Sequence, residues 1–151
     1  MPHSDEPSWS QSADWTELIS RAKAVRQHAY CPYSGYAVGA ALLDDRRKLF
    51  AGCNVENVSF GATLCAERSA VAAMVADGGR ALSKMAIATA DGGSPCGICL
   101  QVLLEFSKPA EGELEIALVS ETGSEIFSFS TLLPFPFLTF YTASVRDGSS
   151  G

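Results

Sequence analysis

An α/β domain, in which a sheet carries helices on its faces, is the fold class this sequence predicts. Three observations carry that expectation. Short apolar runs alternate with helical-period segments through the middle of the chain, as in layered α/β folds. The length of 151 residues suits one domain with a full-sized core. No internal repeat interrupts the pattern.

The elements follow in order. Residues 1–13 are polar and irregular, and are expected to be disordered. Asp14 reads as a helix N-cap, with Glu17 in the capping-box position. Leu18, Ile19, Ala22, Val25 and Ala29 keep helical spacing, which predicts a helix over 14–29. Cys31-Pro32-Tyr33-Ser34-Gly35 breaks it. The apolar run 38–43 reads as a strand, residues 44–47 as a polar turn and 48–53 as the returning strand of a hairpin. Residues 54–64 read as a loop. A buried helix is expected over 65–76, stopped by Asp77-Gly78-Gly79. A third strand is expected over 84–90, a third helix over 96–106, a fourth strand over 114–119 and a short fifth over 125–129. Pro134 and Pro136 prevent a regular helix where they stand. The domain is expected over 14–140 and a flexible tail over 141–151, with Asp147 to Gly151 disordered.

Composition excludes several classes. The formal charge is −6 with no basic run, which disfavours a binder of long nucleic acid. No apolar run reaches the ~20 residues of a membrane span. The acidic start, with Asp5 and Glu6, is unlike a secretory signal. A cytoplasmic protein is the expectation. Five cysteines, an odd number, argue against a disulfide framework. Cys31 and Cys53 read as small buried residues.

The other three cysteines carry the chemistry. Cys65-Ala66-Glu67-Arg68 and Pro95-Cys96-Gly97-Ile98-Cys99 supply three thiolates and one carboxylate. Structural zinc sites fill all four positions with Cys or His, whereas catalytic sites use three and keep one open. Cys65, Cys96 and Cys99 are therefore the expected Zn2+ ligands. Each falls at an expected helix start, where partial positive charge favours thiolate. Gly97 would let the backbone pass close to whatever lies above the metal. Three thiolates overcompensate Zn2+ by one charge. Arg68 is either an ordinary helix-surface residue or the cation that offsets this charge by bonding the sulfurs. Glu67 is either a first-turn carboxylate favoured by the helix dipole or a proton carrier. Its position two residues after a ligand favours the carrier.

A Cys-x-Glu followed by Pro-Cys-x-x-Cys is the pattern of zinc nucleobase deaminases. The chain resembles the small homotetrameric cytidine deaminases of pyrimidine salvage, and the likeness extends past the metal. Residues 31–42 resemble the family's P-Y-S-x-F-x-V-G-A-A-L stretch, and residues 52–57 its G-x-N-x-E-N segment. Leu132-Leu133-Pro134 with Phe137 resembles its L-L-P-x-x-F. The resemblance implies a three-layer α/β/α sandwich with a mixed five-stranded sheet. It implies a proton-shuttling Glu67, and Asn54 and Glu56 on the ribose 3′-hydroxyl. It implies substrate contacts from Tyr36 and from the Ala66 and Gly97 backbone, and Phe137 near the pyrimidine of a neighbouring subunit. Three positions depart from the pattern. Phe60 stands where the family has tyrosine, Leu100 where it has arginine, and Tyr36 where it has phenylalanine.

The activity implied is hydrolytic deamination of cytidine or deoxycytidine to uridine or deoxyuridine and ammonia. Its partner is a small nucleoside, and its assembly a homotetramer with a homodimer as fallback. Two rivals remain. One is the same chemistry on another aminated heterocycle, such as a blasticidin S-type nucleoside. The other is a non-catalytic zinc-binding relative, against which an intact Glu67 argues.

Overall fold

The computed structural model describes residues 8–108 and 111–138, with side chains from Asp14 onward. Ten elements run in the order α1 (Ser8–Arg26), β1 (Gly39–Asp44), β2 (Leu49–Cys53), a 3-10 turn (Phe60–Ala62), α2 (Ala66–Ala76), β3 (Leu82–Ala88), α3 (Gly97–Phe106), β4 (Glu115–Val119), β5 (Ser124–Ser128) and α4 (Phe129–Leu132). The strands form one sheet in the order β2-β1-β3-β4-β5. β3 and β4 pair parallel and every other pair is antiparallel. The expected mixed five-stranded α/β/α fold is present.

Strand alternation builds the layers, since successive side chains point to opposite faces. Leu42, Met85, Ile87 and Ile116 face α2 and α3, where they pack with Ala70, Met74, Leu100 and Leu103. Ala41, Leu43, Ala86, Ala88, Ala117 and Val119 face the other way, against Leu18 and Ala22 of α1. Ala51, Ala41, Ala86 and Ala117 are register partners across four adjacent strands. This row of small residues lets α1 approach the sheet closely. A Cβ at Gly39 would run into the Ala22 carbonyl oxygen and the Arg26 backbone nitrogen. On the opposite face, a Cβ at Gly52 would lie 2.5 Å from Ser69 Cβ and 2.6 Å from Ala70 N of α2. Both glycines are required by helix–sheet contact.

Several expectations need correcting. α1 begins at Ser8, so Asp14 is inside the helix and does not cap it, and residues 8–13 of the segment expected to be disordered are helical. The Asp14 carboxylate instead reaches Arg47 Nη2 at 2.8 Å and Lys84 Nζ at 3.6 Å. These two ion pairs tie α1 to the sheet. α1 also stops at Arg26, before Ala29. β3 starts at Leu82 and ends at Ala88, although Thr89 N still donates to Val119 O of β4 at 3.0 Å. The loop expected over 54–64 contains the 3-10 turn, and α4 takes over at Phe129, where β5 was expected to end. Cys31 and Cys53 are partly exposed rather than buried. Cys53 ends the edge strand β2, and Cys31 lies on the loop after α1. Leu100, in place of the family's arginine, is buried in the core. Residues 1–7, and the tail expected over 141–151, lie outside the described residues. Among the described residues no helix is long and apolar enough to cross a membrane.

The β1–β2 turn is organised by a buried charge. Asp44 is 1% exposed. Its Oδ1 accepts from Arg46 N at 3.0 Å and Lys48 N at 2.8 Å, and its Oδ2 from Arg46 Nε at 2.8 Å. Arg46 and Lys48 also share Asp77 at the end of α2, at 3.0 and 2.8 Å. This network holds Arg47 at φ 63°, a left-handed conformation unfavourable for a side-chain-bearing residue. Without the carboxylate the Arg46 and Lys48 amides lose their acceptor, while the Arg46 side chain keeps Asp77. Asp44→Ala is expected to destabilise the fold by about 1–3 kcal/mol. Urea unfolding is the measurement, and a loss below about 1 kcal/mol would show that the turn holds without it.

Candidate active site

α2 and α3 lie on the same face of the sheet, and their N-termini meet. Cys65 is the N-cap of α2 and Cys96 the N-cap of α3, both in extended conformation. The Cys96 sulfur accepts from Cys99 N at 3.5 Å, so it takes part in capping the helix. Cys99 follows one turn on, fully buried. The three sulfurs all lie within 4.8 Å of one another.

The donor set suits a soft divalent cation. Thiolate sulfur selects zinc over magnesium or calcium. At bond lengths of about 2.3 Å a single zinc ion reaches three sulfurs at this spacing. The acid–base balance points the same way. Hydrogen bonding from the Cys99 thiol, opposed by burial and reinforced by Arg68, pulls Cys65 down to about 5. Cys99 is pushed up, by its bond to the charged Cys65 and by its own burial. Of these two sulfurs, Cys65 is the one that favours the thiolate and Cys99 the one that keeps its proton. A cation among them makes a full set of thiolates favourable.

Arg68 provides fixed positive charge beside the sulfurs. Its Nη2 donates to Cys65 Sγ at 3.5 Å and to Thr63 O at 3.1 Å. Its Nε is buried and has no hydrogen-bond partner among the described residues, which leaves a donor on the same guanidinium. Glu67, in the first turn of α2, is 5% exposed. Burial first, then the charge of Cys65, raises its carboxyl above the ordinary range.

A cavity of about 280 Å³ opens over this cluster. Its lining includes Cys65, Cys96, Ala66, Glu67, Tyr36 and Asn54. Its size lies near the lower end of the range usual for small-molecule pockets, roughly 300–1,000 Å³. Roomier concavities lie elsewhere among the described residues, including one of about 570 Å³ among charged residues such as Lys84 and Lys108, and an open trough of about 660 Å³ along α3. Neither contains the cysteines. Chemistry, rather than volume, marks the site.

The remaining residues singled out from sequence divide into two groups. Asn54 lines the cavity, and its amide ties the strand entry together. Oδ1 accepts from Val38 N at 2.9 Å and Nδ2 donates to Tyr36 O at 2.8 Å. Each amide atom retains one further hydrogen-bonding position. Glu56 does not line the cavity within the single chain. Its Oε1 accepts from Tyr33 N at 3.0 Å and Ser34 N at 3.1 Å. The Ser34 amide first, with Tyr33, holds the Glu56 carboxyl below the usual range. Phe60 meets Tyr33 edge-on, with ring centroids 5.4 Å apart, and points outward. Phe137 lies by α3, where its backbone is gripped by Gln101, with Nε2 donating to Phe137 O at 2.8 Å and Oε1 accepting from Phe137 N at 3.3 Å. It does not reach this chain's own cavity. Gly97 faces the trough on α3, not the cavity, and a Cβ there would meet no atom within 4 Å. The expected close approach at Gly97 is absent within the chain.

Ser34, Thr63, Thr89, Gly93 and Ser94 also line the cavity, and are not among the residues expected there from sequence. Thr89 carried a signal. It is a lone hydroxyl at the end of the apolar run 85–88, next to the Asp-Gly-Gly turn.

Comparison with known proteins agrees with this geometry. The sequence pattern of the cytidine and deoxycytidylate deaminase zinc-binding region matches residues 13–110. A cytidine deaminase of Sporosarcina psychrophila is 39% identical over 127 residues, covering 82% of this chain and 91% of that protein. One from Mycobacterium tuberculosis is 52% identical over 96 residues, covering 61% and 71%. Among solved structures, the cytidine deaminase of Burkholderia pseudomallei superposes with a TM-score of 0.74 at 39% identity, over 81% of this chain and 98% of that one. The Mycobacterium tuberculosis enzyme gives 0.69 at 40% identity, over 83% and 98%. With its three-cysteine cluster set beneath a small cavity, the chain belongs to the zinc-binding cytidine deaminase family.

Proposed function

We propose that this protein hydrolyses the 4-amino group of cytidine or deoxycytidine, releasing ammonia and leaving uridine or deoxyuridine. One observation carries the reading. A buried carboxyl, Glu67, shares a nucleoside-sized cavity with three sulfurs suited to zinc. Zinc held by Cys65, Cys96 and Cys99 supplies a Lewis acid that lowers the pKa of water.

The protein's own groups do the rest. Glu67 takes a proton from the attacking water and delivers it to pyrimidine N3, and then serves the leaving amine. Burial raises its carboxyl, so that it holds a proton more readily than an ordinary glutamate, as a proton carrier must. Arg68 offsets the excess charge of three thiolates, and its bond to Cys65 supports that role. Asn54 retains hydrogen-bonding capacity for a sugar hydroxyl, and Glu56 holds the Ser34 loop beside it.

The assembly proposed is a homotetramer, with a homodimer as the smaller alternative. Phe60, Ile98, Phe135, Phe137 and Leu138 are exposed apolar side chains, with Phe135 at 94%. Exposed apolar patches of this kind mark interfaces. In a closed symmetric oligomer, Phe60 and Phe137 would complete a neighbour's site.

Three outcomes are expected. Purified protein should carry about one zinc per chain, bound by three sulfurs, and Cys99→Ala should lose it. Metal analysis finding no zinc, or X-ray absorption finding four sulfurs, overturns the site. Glu67→Gln should keep zinc and fold while kcat drops about 10²- to 10⁴-fold. A variant with a tenth of wild-type kcat in an ammonia-release assay with cytidine removes Glu67 from the mechanism. Deleting residues 135–151 should weaken assembly and activity together. Light scattering that finds a fully active monomer refutes the shared site.

A further inference from the structure

Two segments far apart in sequence wall the cavity. One is the approach to β1, residues 33–38. The other is the loop 89–95 that leads from β3 to Cys96. Tyr36 joins them. Its hydroxyl donates to Asp91 Oδ1 at 2.6 Å, the short distance of an O–H···O⁻ bond to a carboxylate. The backbone of Tyr36 is held as well. Its N–H donates to Ser34 Oγ at 3.0 Å, and its carbonyl accepts from Asn54 Nδ2 at 2.8 Å.

Asp91 is the hub on the other side. The same Oδ1 accepts from Thr89 Oγ1 at 3.1 Å and Gly93 N at 3.2 Å. Thr89, 3% exposed, accepts from Gly92 N at 2.8 Å and Gly93 N at 2.9 Å. The fit is close, since a Cβ at Gly93 would lie 2.5 Å from the Tyr36 hydroxyl. Tyr36, Thr89, Gly93 and Ser94 line the cavity, whereas Asp91 lines a separate concavity beyond it with Ser120. Asp91 therefore acts on the cavity through the Tyr36, Thr89 and Gly93 groups that it binds. The resemblance puts phenylalanine at the Tyr36 position, so the hydroxyl belongs to this chain.

We propose that Asp91 is a positioning residue, which straps the loop ahead of Cys96 to Tyr36 and so sets how tightly the cavity holds its substrate. This deepens the deaminase reading and rests on it for its kinetic consequence. The strap orders a wall that substrate touches and carries no proton in the reaction, so its loss weakens binding more than turnover. Asp91→Asn keeps an oxygen at Oδ1 that accepts the tyrosine proton, and serves as the conservative rescue.

The test combines kinetics with amide exchange on the zinc-loaded protein. Asp91→Ala and Tyr36→Phe should each raise KM for cytidine about three- to tenfold, with a smaller fall in kcat. Asp91→Asn should stay within about twofold of wild type, and the Tyr36→Phe, Asp91→Ala double variant should be no worse than Asp91→Ala alone. Exchange in residues 89–95 should quicken about threefold or more in Tyr36→Phe. That readout holds whether or not cytidine is turned over, and Tyr36→Phe serves even where Asp91→Ala does not fold. Unchanged exchange in Tyr36→Phe, or KM effects that multiply in the double variant, overturns the strap. A wild-type protein inactive on cytidine, with exchange still quickened in Tyr36→Phe, overturns the substrate reading and leaves the strap standing.

Discussion

Three sulfurs from two helices must converge within a few ångströms, and the rest of the structure serves that constraint. Helix starts are the natural place for it. Free N–H groups and the helix dipole stabilise the thiolate form. Cys65 and Cys96 are both N-caps, and Cys99 sits one turn into the second helix. Their convergence depends on α2 and α3 packing side by side on one face of the sheet. That packing rests on Leu42, Met85 and Ile116, which meet α2 and α3 through Ala70, Met74 and Leu103. The opposite face presents an alanine row that admits α1 closely. The core and the metal site are thus one problem of helix placement.

Charge inside this frame is handled by pairing. Asp44 is buried but has its carboxylate occupied by Arg46 and by two turn amides. Its role is to hold a turn. Glu67 is equally buried and meets a negative neighbour in Cys65. Asp44 is thereby a structural carboxylate, while burial beside another negative charge raises the Glu67 carboxyl, as the proposed proton transfer requires. Arg68 keeps the balance, since without it the cluster would concentrate negative charge with little solvent to screen it.

The single chain holds a cavity that several functionally suggestive aromatic residues do not reach. Phe60 and Phe137 face outward, and Phe137 is held in place by both ends of the Gln101 amide. The Phe137 backbone is fixed while its ring stays exposed, which suits the proposed contact with another subunit. Tyr36 does the opposite. Its hydroxyl is used inward, on Asp91, and it closes the wall of its own cavity. The chain's aromatics therefore serve two purposes, one within the subunit and one at its surface.

The sequence by itself determined the metal chemistry, because ligand identity and spacing are local. Cys-x-Glu and Cys-x-x-Cys at helix starts can be read without any tertiary contact, and so can the order of strands and helices, which follows from hydrophobic period. Local patterns misled where they were not unique. Asp14 and Glu17 match a capping box, yet nothing from Ser8 to Ala13 breaks a helix, and Asp14 is drawn instead to Arg47 and Lys84 on the sheet. Leu100 stands where the resemblance suggested a missing cation, and is core because its side of α3 faces the sheet. Only the tertiary structure decided that Asn54 pins the backbone at Tyr36 and Val38, that Arg68 reaches Cys65, and that Tyr36 meets Asp91 across the cavity. Contacts between distant segments, such as Tyr36 with Asp91, arise when strands β1 and β3 become neighbours. Strand pairing of that kind is a property of the whole packed sheet, which no local pattern of residues encodes.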